Sequence, residues 1–449
     1  MHVATLHCGA FVEGVSSGLY PSAKPPMTPP PSKPALRHLR ASDLRAAAQL
    51  VTQATRGVAD IAEGVHRSVQ RSMGLPGGAK GQTAGLTGLI YRSVHGVTAL
   101  VGKGLEAAFT RLEPLLGTLV QQPSESPERE AVLAALNGVM GDRLQQSDNP
   151  LATTMQLRYQ GTVLDLGAAP LVLPQASGKL ALLIHGLCMN DLQWANPPTR
   201  QAAPWSDHGS ALAGELGYSV VYLRYNSGLH VSDNGAQLAS LLEQLVAHWP
   251  VPLQDLTIVA HSMGGLVARS ALDCAVRCAL HWPRHLKHLV FLGTPHHGAP
   301  LERAGNWIDV LLGGTPYSRP FARLGQLRSA GITDLRFGFV RATDWQGRDR
   351  FRRGADPRQP LPLPVGVACF AAAATSASRR SPVAERILGD GLVPLPSALG
   401  QHAQPQHCLA FAPSAQWIGY GMNHWDLLRR AEVIRQVLLW LTPPGTPPP

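Results

Sequence analysis

Two patterns of apolar spacing divide the chain. Between Ser42 and Leu115 apolar residues recur at three- and four-residue steps: Val51, Ala54, Val58, Ile61, Val65 and Val69, then Ile90, Val94, Val97, Val101, Leu105, Ala108, Leu112 and Leu115. That period gathers each set on one face of a helix. Ser42 and Asp43 offer N-cap oxygens, and a glycine-rich link from Gly74 to Gly85 separates the two sets, so the spacing predicts an N-terminal helical hairpin. Each stripe has to be covered by the other helix, the rest of the chain, a second copy or a membrane surface, and the pattern does not choose. A polar stretch from Gln121 to Glu130 precedes a short helix predicted over Ala131 to Met140 and a linker to about Pro150. The boundary of this helical region, residues 42–150, is placed there.

Beyond Pro150 the pattern changes to short apolar runs separated by helical ones. Met155 to Leu166 and Ala169 to Leu173 predict opening strands, with an antiparallel hairpin at the sheet edge. Lys179 to Ile184, Tyr218 to Tyr225, Leu256 to Ala260, His288 to Leu292, Val365 to Ala372 and Cys408 to Ala412 predict further strands. Ala236 to His248 and Trp425 to Leu441 predict helices. This alternation predicts a mostly parallel, doubly wound α/β sheet over residues 151–442. Residues 299–364 break the rhythm with arginines, glycines and prolines and are expected to form a cap insertion across the carboxyl ends of the strands. Prolines crowd the first 41 residues and the stretch 443–449, and they deny backbone donors to helix or sheet. A disordered leader and a loose tail are expected.

The stretch from Leu256 to Leu272 carries the sharpest chemical signal. A β-branched run, Leu256-Thr257-Ile258-Val259-Ala260, gives way within four residues to helical spacing at Leu266, Val267 and Ser270, with Ser262 at the apex. Such a turn strains the serine backbone and lifts its hydroxyl clear of the sheet, so the residues two before and two after it must be small, as Ala260 and Gly264 are. A serine hydroxyl needs a base to take its proton, and the base needs an acid to fix its tautomer. In a turn of this type acid and base follow in that order on late loops. Gly389-Asp390-Gly391 and Asn423-His424 fit, giving Ser262 as nucleophile, Asp390 as acid and His424 as base. Asp309, Asp334 and Asp344 are weaker substitutes for the acid. Two backbone donors for the oxyanion are expected at Met263 and at Leu187, in the turn after the strand ending at Ile184. His185, Gly186, His261, His296 and His297 are expected to surround the substrate pocket, with His185 shaping its turn. His296 and His297 lack a third ligand at a familiar spacing, so no metal site is read there.

Composition narrows the classes. At 449 residues the chain has room for one large α/β domain and a smaller unit. With 45% hydrophobic residues it has no run of roughly 18 apolar residues that would cross a bilayer. Met1 to Leu19 lacks a secretory pattern, so a cytoplasmic protein is expected, with the hairpin offering peripheral membrane contact. The net charge of +10 suits an anionic surface, but no basic run is interleaved with aromatics, and no nucleic-acid partner is expected. The six cysteines are scattered and read as buried free thiols.

Taken together, His185-Gly186-Leu187, Ala260-His261-Ser262-Met263-Gly264-Gly265, Leu292 to Pro300 (LGTPHHGAP), Gly389 to Pro394 (GDGLVP) and Asn423-His424 resemble an α/β-hydrolase. The likeness is to bacterial triacylglycerol lipase-like esterases and the related inositol-deacylase-like (GPI-remodelling) group, and it covers about Lys179 to Leu441. Ala260 stands where the commoner motif has glycine. The resemblance implies cofactor-free hydrolysis of a lipid-like or other apolar small-molecule ester through an acyl-serine intermediate. An amidase, thioesterase or acyltransferase uses the same triad, and a non-catalytic scaffold binding a membrane or partner is the alternative from another class.

Overall fold

A computed structural model of the chain describes residues 127–167, 171–173, 175–195, 205–299, 328–350, 354–378, 389–443 and 445. The leader, the helical hairpin, much of the cap insertion and most of the tail lie outside the described residues. The elements in chain order are α1 (Pro127–Gln146), β1 (Gln156–Tyr159), β2 (Thr162–Val163), β3 (Lys179–Ile184), α2 (His208–Leu216), β4 (Ser219–Arg224), α3 (Val231–His248), β5 (Asp255–His261) and α4 (Met263–Arg277). Then come β6 (Leu286–Leu292), α5 (Ala330–Asp334), α6 (Ala342–Trp345), β7 (Ala368–Thr375), α7 (Leu395–Ala398), β8 (Gln416–Tyr420), α8 (Asp426–Arg429) and α9 (Ala431–Leu441).

The strands form one sheet in the order β2-β1-β4-β3-β5-β6-β7-β8. β1 is antiparallel to both β2 and β4, and every other pairing is parallel. β3 and β5 lie side by side at its centre, with Leu183 opposite Val259. Alternate side chains leave opposite faces, and each face acquires its own core. Leu180, Leu182, Ile184 and Ile258 pack with Leu238 and Leu242 of α3 and Leu266 and Val267 of α4. Ala181, Leu183, Val259 and Val290 pack with Leu212 of α2 and Ile434, Val437 and Leu438 of α9. Each fully buried leucine of this kind contributes about 1.5–3 kcal/mol, so both faces have to be covered and the strands read as continuous apolar runs.

Several expectations are corrected. Cys408 to Ala412 is irregular, and the last strand is Gln416–Tyr420. Leu409 and Phe411 bury their side chains from a non-strand segment, whereas β8 is a half-buried edge strand with little apolar signal. Residues 171–173 are not in a strand. The helix expected over Ala131 to Met140 runs from Pro127 to Gln146 with a break at Met140, and it packs against the sheet domain. The closing helix is interrupted at Arg430, whose φ of −76° and ψ of 130° are extended. The five described cysteines are free, but only Cys188 is buried, and Cys278 and Cys408 are exposed. Among the described residues no helix is long and apolar enough to cross a membrane.

Helix α1 is joined to the sheet by a buried ionic chain. Glu130 accepts from Arg224 of β4 at 2.8 Å. Arg224 also pairs with Asp191, which in turn pairs with Arg158 of β1 at 3.1 Å. Removing one member of such a network strands a buried charge, which makes this a strong tether for a helix with little apolar stripe. Asp142 of the same helix accepts from Arg350 at 2.7 Å and from the backbone of Ala330 at 3.1 Å, so α1 also grips the inserted segment between β6 and β7.

Candidate active site

Ser262 stands between β5 and α4 with φ 55° and ψ −126°, a region unfavourable for a residue with a side chain. Its surroundings explain how the turn is held. A Cβ on Gly264 would lie 2.5 Å from the carbonyl oxygen of His185 and 2.6 Å from that of Ile184, so the first turn of α4 can approach the end of β3 only without a side chain there. One on Gly186 would lie 3.0 Å from Ser262 Cβ, which sets the turn after β3 directly against the serine. On the other side, the Ser262 N–H donates to Leu292 O of β6 at 2.8 Å. The serine is thus held between the turn after β3 and the last residue of β6, with the N-terminus of α4 directly behind it.

Asp390 and His424 meet across 34 residues. Asp390 Oδ1 accepts from the N–H groups of Leu392 and Val393 at 2.9 and 2.8 Å, which fixes the carboxylate within its own loop. Oδ2 then accepts from His424 Nδ1 at 2.6 Å, and both side chains are buried. With Nδ1 carrying the proton toward a carboxylate, Nε2 presents its lone pair, an assignment that follows from the hydrogen-bond pattern. Nε2 is buried and has no hydrogen-bond partner among the described residues. Gly293, next after the residue that accepts from Ser262, faces this pair. A Cβ on it would lie 3.2 Å from His424 Cε1 and 3.3 Å from Asp390 Oδ2. Asp390 and His424 therefore meet at the turn that closes β6, one residue beyond the carbonyl that accepts from the Ser262 N–H, and no hydrogen bond joins His424 Nε2 to Ser262.

The other expected residues fall into two groups. Met263 is the first residue of α4, and Leu187 lies in the turn beside Ser262. His185, His261 and His296 are each 0% exposed, so they wall the region from inside rather than facing open space. The ring of His185 stacks on Tyr225 at 4.3 Å, and burial pushes its pKa down to about 4. His261 packs against His424 with ring centroids 4.6 Å apart, and its Nε2 reaches the His424 carbonyl at 3.2 Å. Burial, then the neighbouring His424, hold its pKa well below the usual histidine value. His296 is edge-on to Phe291 at 4.6 Å. His297 is half-buried, its ring 4.9 Å from that of His402, and burial brings its pKa down to about 4. Among the described residues no group of three or more His, Cys, Asp or Glu could hold a metal ion.

Asp334 and Asp344 are engaged elsewhere: Asp334 accepts from His230 at 2.9 Å and from Val231 N at 2.8 Å, and Asp344 caps Val340 and Arg341. Asp309 lies outside the described residues. Ser227 was not singled out by sequence. Its Oγ accepts from Cys188 N at 3.0 Å, in the turn that carries Leu187. The available signal was the Asn226-Ser227-Gly228 cluster at the carboxyl end of a predicted strand, where binding loops gather.

Residues 175–313 match the model of the PGAP1-like alpha/beta domain family. Comparison with curated proteins gives no match. Among solved structures, the mature lipase BlEst2 of Bacillus licheniformis is similar at 16% identity over 59% of this chain and 91% of that one, with a TM-score of 0.35. Lipase B of Aspergillus fumigatus is similar at 12% identity over 64% and 59%, TM-score 0.34. The esterase Pf2001 of Pyrococcus furiosus is similar at 14% identity over 60% and 81%, TM-score 0.32. The mixed sheet with its antiparallel start, the serine turn after its central strand and the family match over residues 175–313 together make this an α/β-hydrolase fold.

Proposed function

We propose that the protein is a serine hydrolase that cleaves carboxylic esters of lipid-like or other apolar substrates. The observation that carries this reading is the buried Asp390–His424 bond of 2.6 Å, which leaves Nε2 without a hydrogen-bond partner, together with a serine held at positive φ whose N–H donates to Leu292, the residue before the Gly293 that faces the pair. In this scheme His424 Nε2 takes the proton of Ser262 as its Oγ attacks the ester carbonyl, and Asp390 stabilises the resulting imidazolium. The tetrahedral oxyanion is met by the N–H groups of Met263 and Leu187, with the N-terminal dipole of α4 adding to the field. Collapse expels the alcohol, which takes the proton from His424 and leaves an acyl group on Ser262. A water then gives its proton to His424, attacks the acyl carbon and releases the carboxylic acid, while the proton returns to Ser262.

The test is a fluorophosphonate probe together with p-nitrophenyl esters of graded chain length. Wild-type protein should be labelled and should hydrolyse the esters, and Ser262→Ala should abolish labelling and lower kcat by at least about 10,000-fold. Wild-type protein that neither labels nor turns over would overturn the reading in favour of a binding scaffold. Turnover of amides or thioesters in preference to esters would overturn the substrate class alone.

A further inference from the structure

The turn after β3 carries more structural investment than a loop that merely connects two elements. Cys188 has φ 58°, which a residue with a side chain adopts only when its surroundings impose it. Three neighbours do so here. Its N–H donates to Ser227 Oγ at 3.0 Å. Its thiol reaches the carbonyl of Ala135 in α1 at 3.8 Å. Gly138 of α1 lies flat against it, so that a Cβ there would overlap Cys188 Sγ and lie 2.8 Å from both its N and its Cα. On the opposite side of the same turn, Gly186 abuts Ser262. The peptide units from Gly186 to Cys188 are therefore enclosed between the serine and α1.

The supports are themselves fixed. Asn226 donates to the Gly141 carbonyl of α1 at 3.0 Å, and Gly228 accommodates the Asn137 carbonyl, so Ser227 sits in a segment locked to that helix on both sides. Gly138 O accepts from Ser329 Oγ at 2.6 Å, and Glu130 ties the first turns of α1 to Arg224 of β4. Ser227 is 1% exposed, and without its oxygen the Cys188 N–H would lose its partner in a buried site.

We propose that Ser227, backed by Gly138 of α1, is a positioning residue for the reaction: it holds the Gly186–Cys188 turn in the conformation that aims the Leu187 N–H at the oxyanion. This rests on Ser262 being the nucleophile. Ser227 touches no reacting atom. It acts on the donor through the adjacent peptide, and donors have to be held within about 0.5 Å to be effective. Helix α1 is then part of the catalytic body, although it precedes the first strand.

The experiment compares full-length wild type with Ser227→Ala, Ser227→Cys and Gly138→Ala. Leu245→Ala, at the far end of α3, serves as a control for loss of stability. The readouts are the rate of fluorophosphonate labelling, kcat and KM on a p-nitrophenyl ester, and Tm. Loss of one oxyanion donor lowers kcat by about 100- to 1,000-fold, and partial misalignment in Ser227→Ala should lower kcat and the labelling rate by about 10- to 100-fold with KM within about threefold. Ser227→Cys, close in volume but with a weak acceptor, should fall between it and wild type. Leu245→Ala should lower Tm and leave kcat near wild type. Wild-type kcat and labelling in Ser227→Ala, or in Ser227→Cys and Gly138→Ala should the alanine variant not fold, would overturn the proposal while leaving Ser262 as nucleophile. An inert wild type would overturn both.

Discussion

Replacing His296 with phenylalanine should change how stability responds to acid, by an amount that follows from burial. His296 is 0% exposed, and neither ring nitrogen has a hydrogen-bond partner among the described residues. Its ring lies edge-on to Phe291 at 4.6 Å and 5.6 Å from Phe411, so an aromatic hydrocarbon suits the site. Burial first, then the Arg269 charge, hold its pKa well below the reference of 6.5. In the unfolded chain the same imidazole is protonated as pH falls through 6.5, while in the folded protein its protonation is displaced to lower pH. The unfolded state therefore binds the extra proton, and stability is lost on acidification. Between about pH 7.5 and pH 5 the unfolded imidazole gains nearly one proton, which at 1.36 kcal/mol per unit integrates to about 2 kcal/mol. His296→Phe cannot take up that proton. Its stability relative to wild type, measured by urea denaturation at both pH values, should improve on going to pH 5 by up to about 2 kcal/mol. Any fixed gain from removing unpaired nitrogens, or cost from the larger ring, appears at both pH values and cancels. A stability difference independent of pH would show that the imidazole takes up its proton over the same pH range in the folded and unfolded chain and would refute the reasoning.

Further outcomes follow from the same contacts. His185, His208, His261 and His297 are also held below the normal histidine pKa, chiefly by burial, so wild-type stability should fall steeply with pH below about 6.5, where each adds to the proton uptake of the unfolded chain. Asp334, whose pKa burial raises, acts in the opposite sense near its own titration and should soften that fall at the acid end in a full urea–pH series. Asp390→Asn keeps an oxygen for the Leu392 and Val393 amides but loses the charge that fixes the His424 tautomer, so kcat on a p-nitrophenyl ester should drop by about 10,000-fold with little change in Tm. Glu130→Ala leaves part of the Arg224 charge uncompensated in a buried site and should cost about 3 kcal/mol by chemical denaturation, against the roughly 0–1 kcal/mol of a solvent-exposed pair.

Much of this architecture was legible in the sequence because it rests on local patterns. Lys179–Ile184 forms β3 as expected, and Leu256 to Ala260 falls within β5, since strands covered on both faces need unbroken apolar runs. Asp390 and His424 were legible through their order along the chain and their glycine- or helix-bounded loops, and they are hydrogen-bonded across 34 residues. What escaped sequence reading is non-local or only half-buried. β8 is an edge strand, Gln-Trp-Ile-Gly-Tyr, with a single fully buried position, while the nearby Leu409 and Phe411 supply stronger hydrophobicity without forming a strand. Helix α1 buries Leu136, Val139 and Leu144, but its close approach through Gly138 and Gly141 and the Glu130 ion pair leave no signature in apolar spacing. Glu130, Arg158, Asp191 and Arg224 have no shared spacing, so their convergence is visible only in three dimensions.

Asp390 and His424 are joined twice, by the side-chain bond and by the His424 N–H donating to the Asp390 carbonyl at 3.0 Å. In the proposed mechanism acid and base thus ride on one coupling, and a shift of either peptide carries its partner along. The doubled link fixes the imidazole against the carboxylate and leaves the tautomer the most protected variable. Under the proposed mechanism any adjustment on substrate binding therefore falls on the gap between Ser262 and Nε2, which has no hydrogen-bond partner among the described residues.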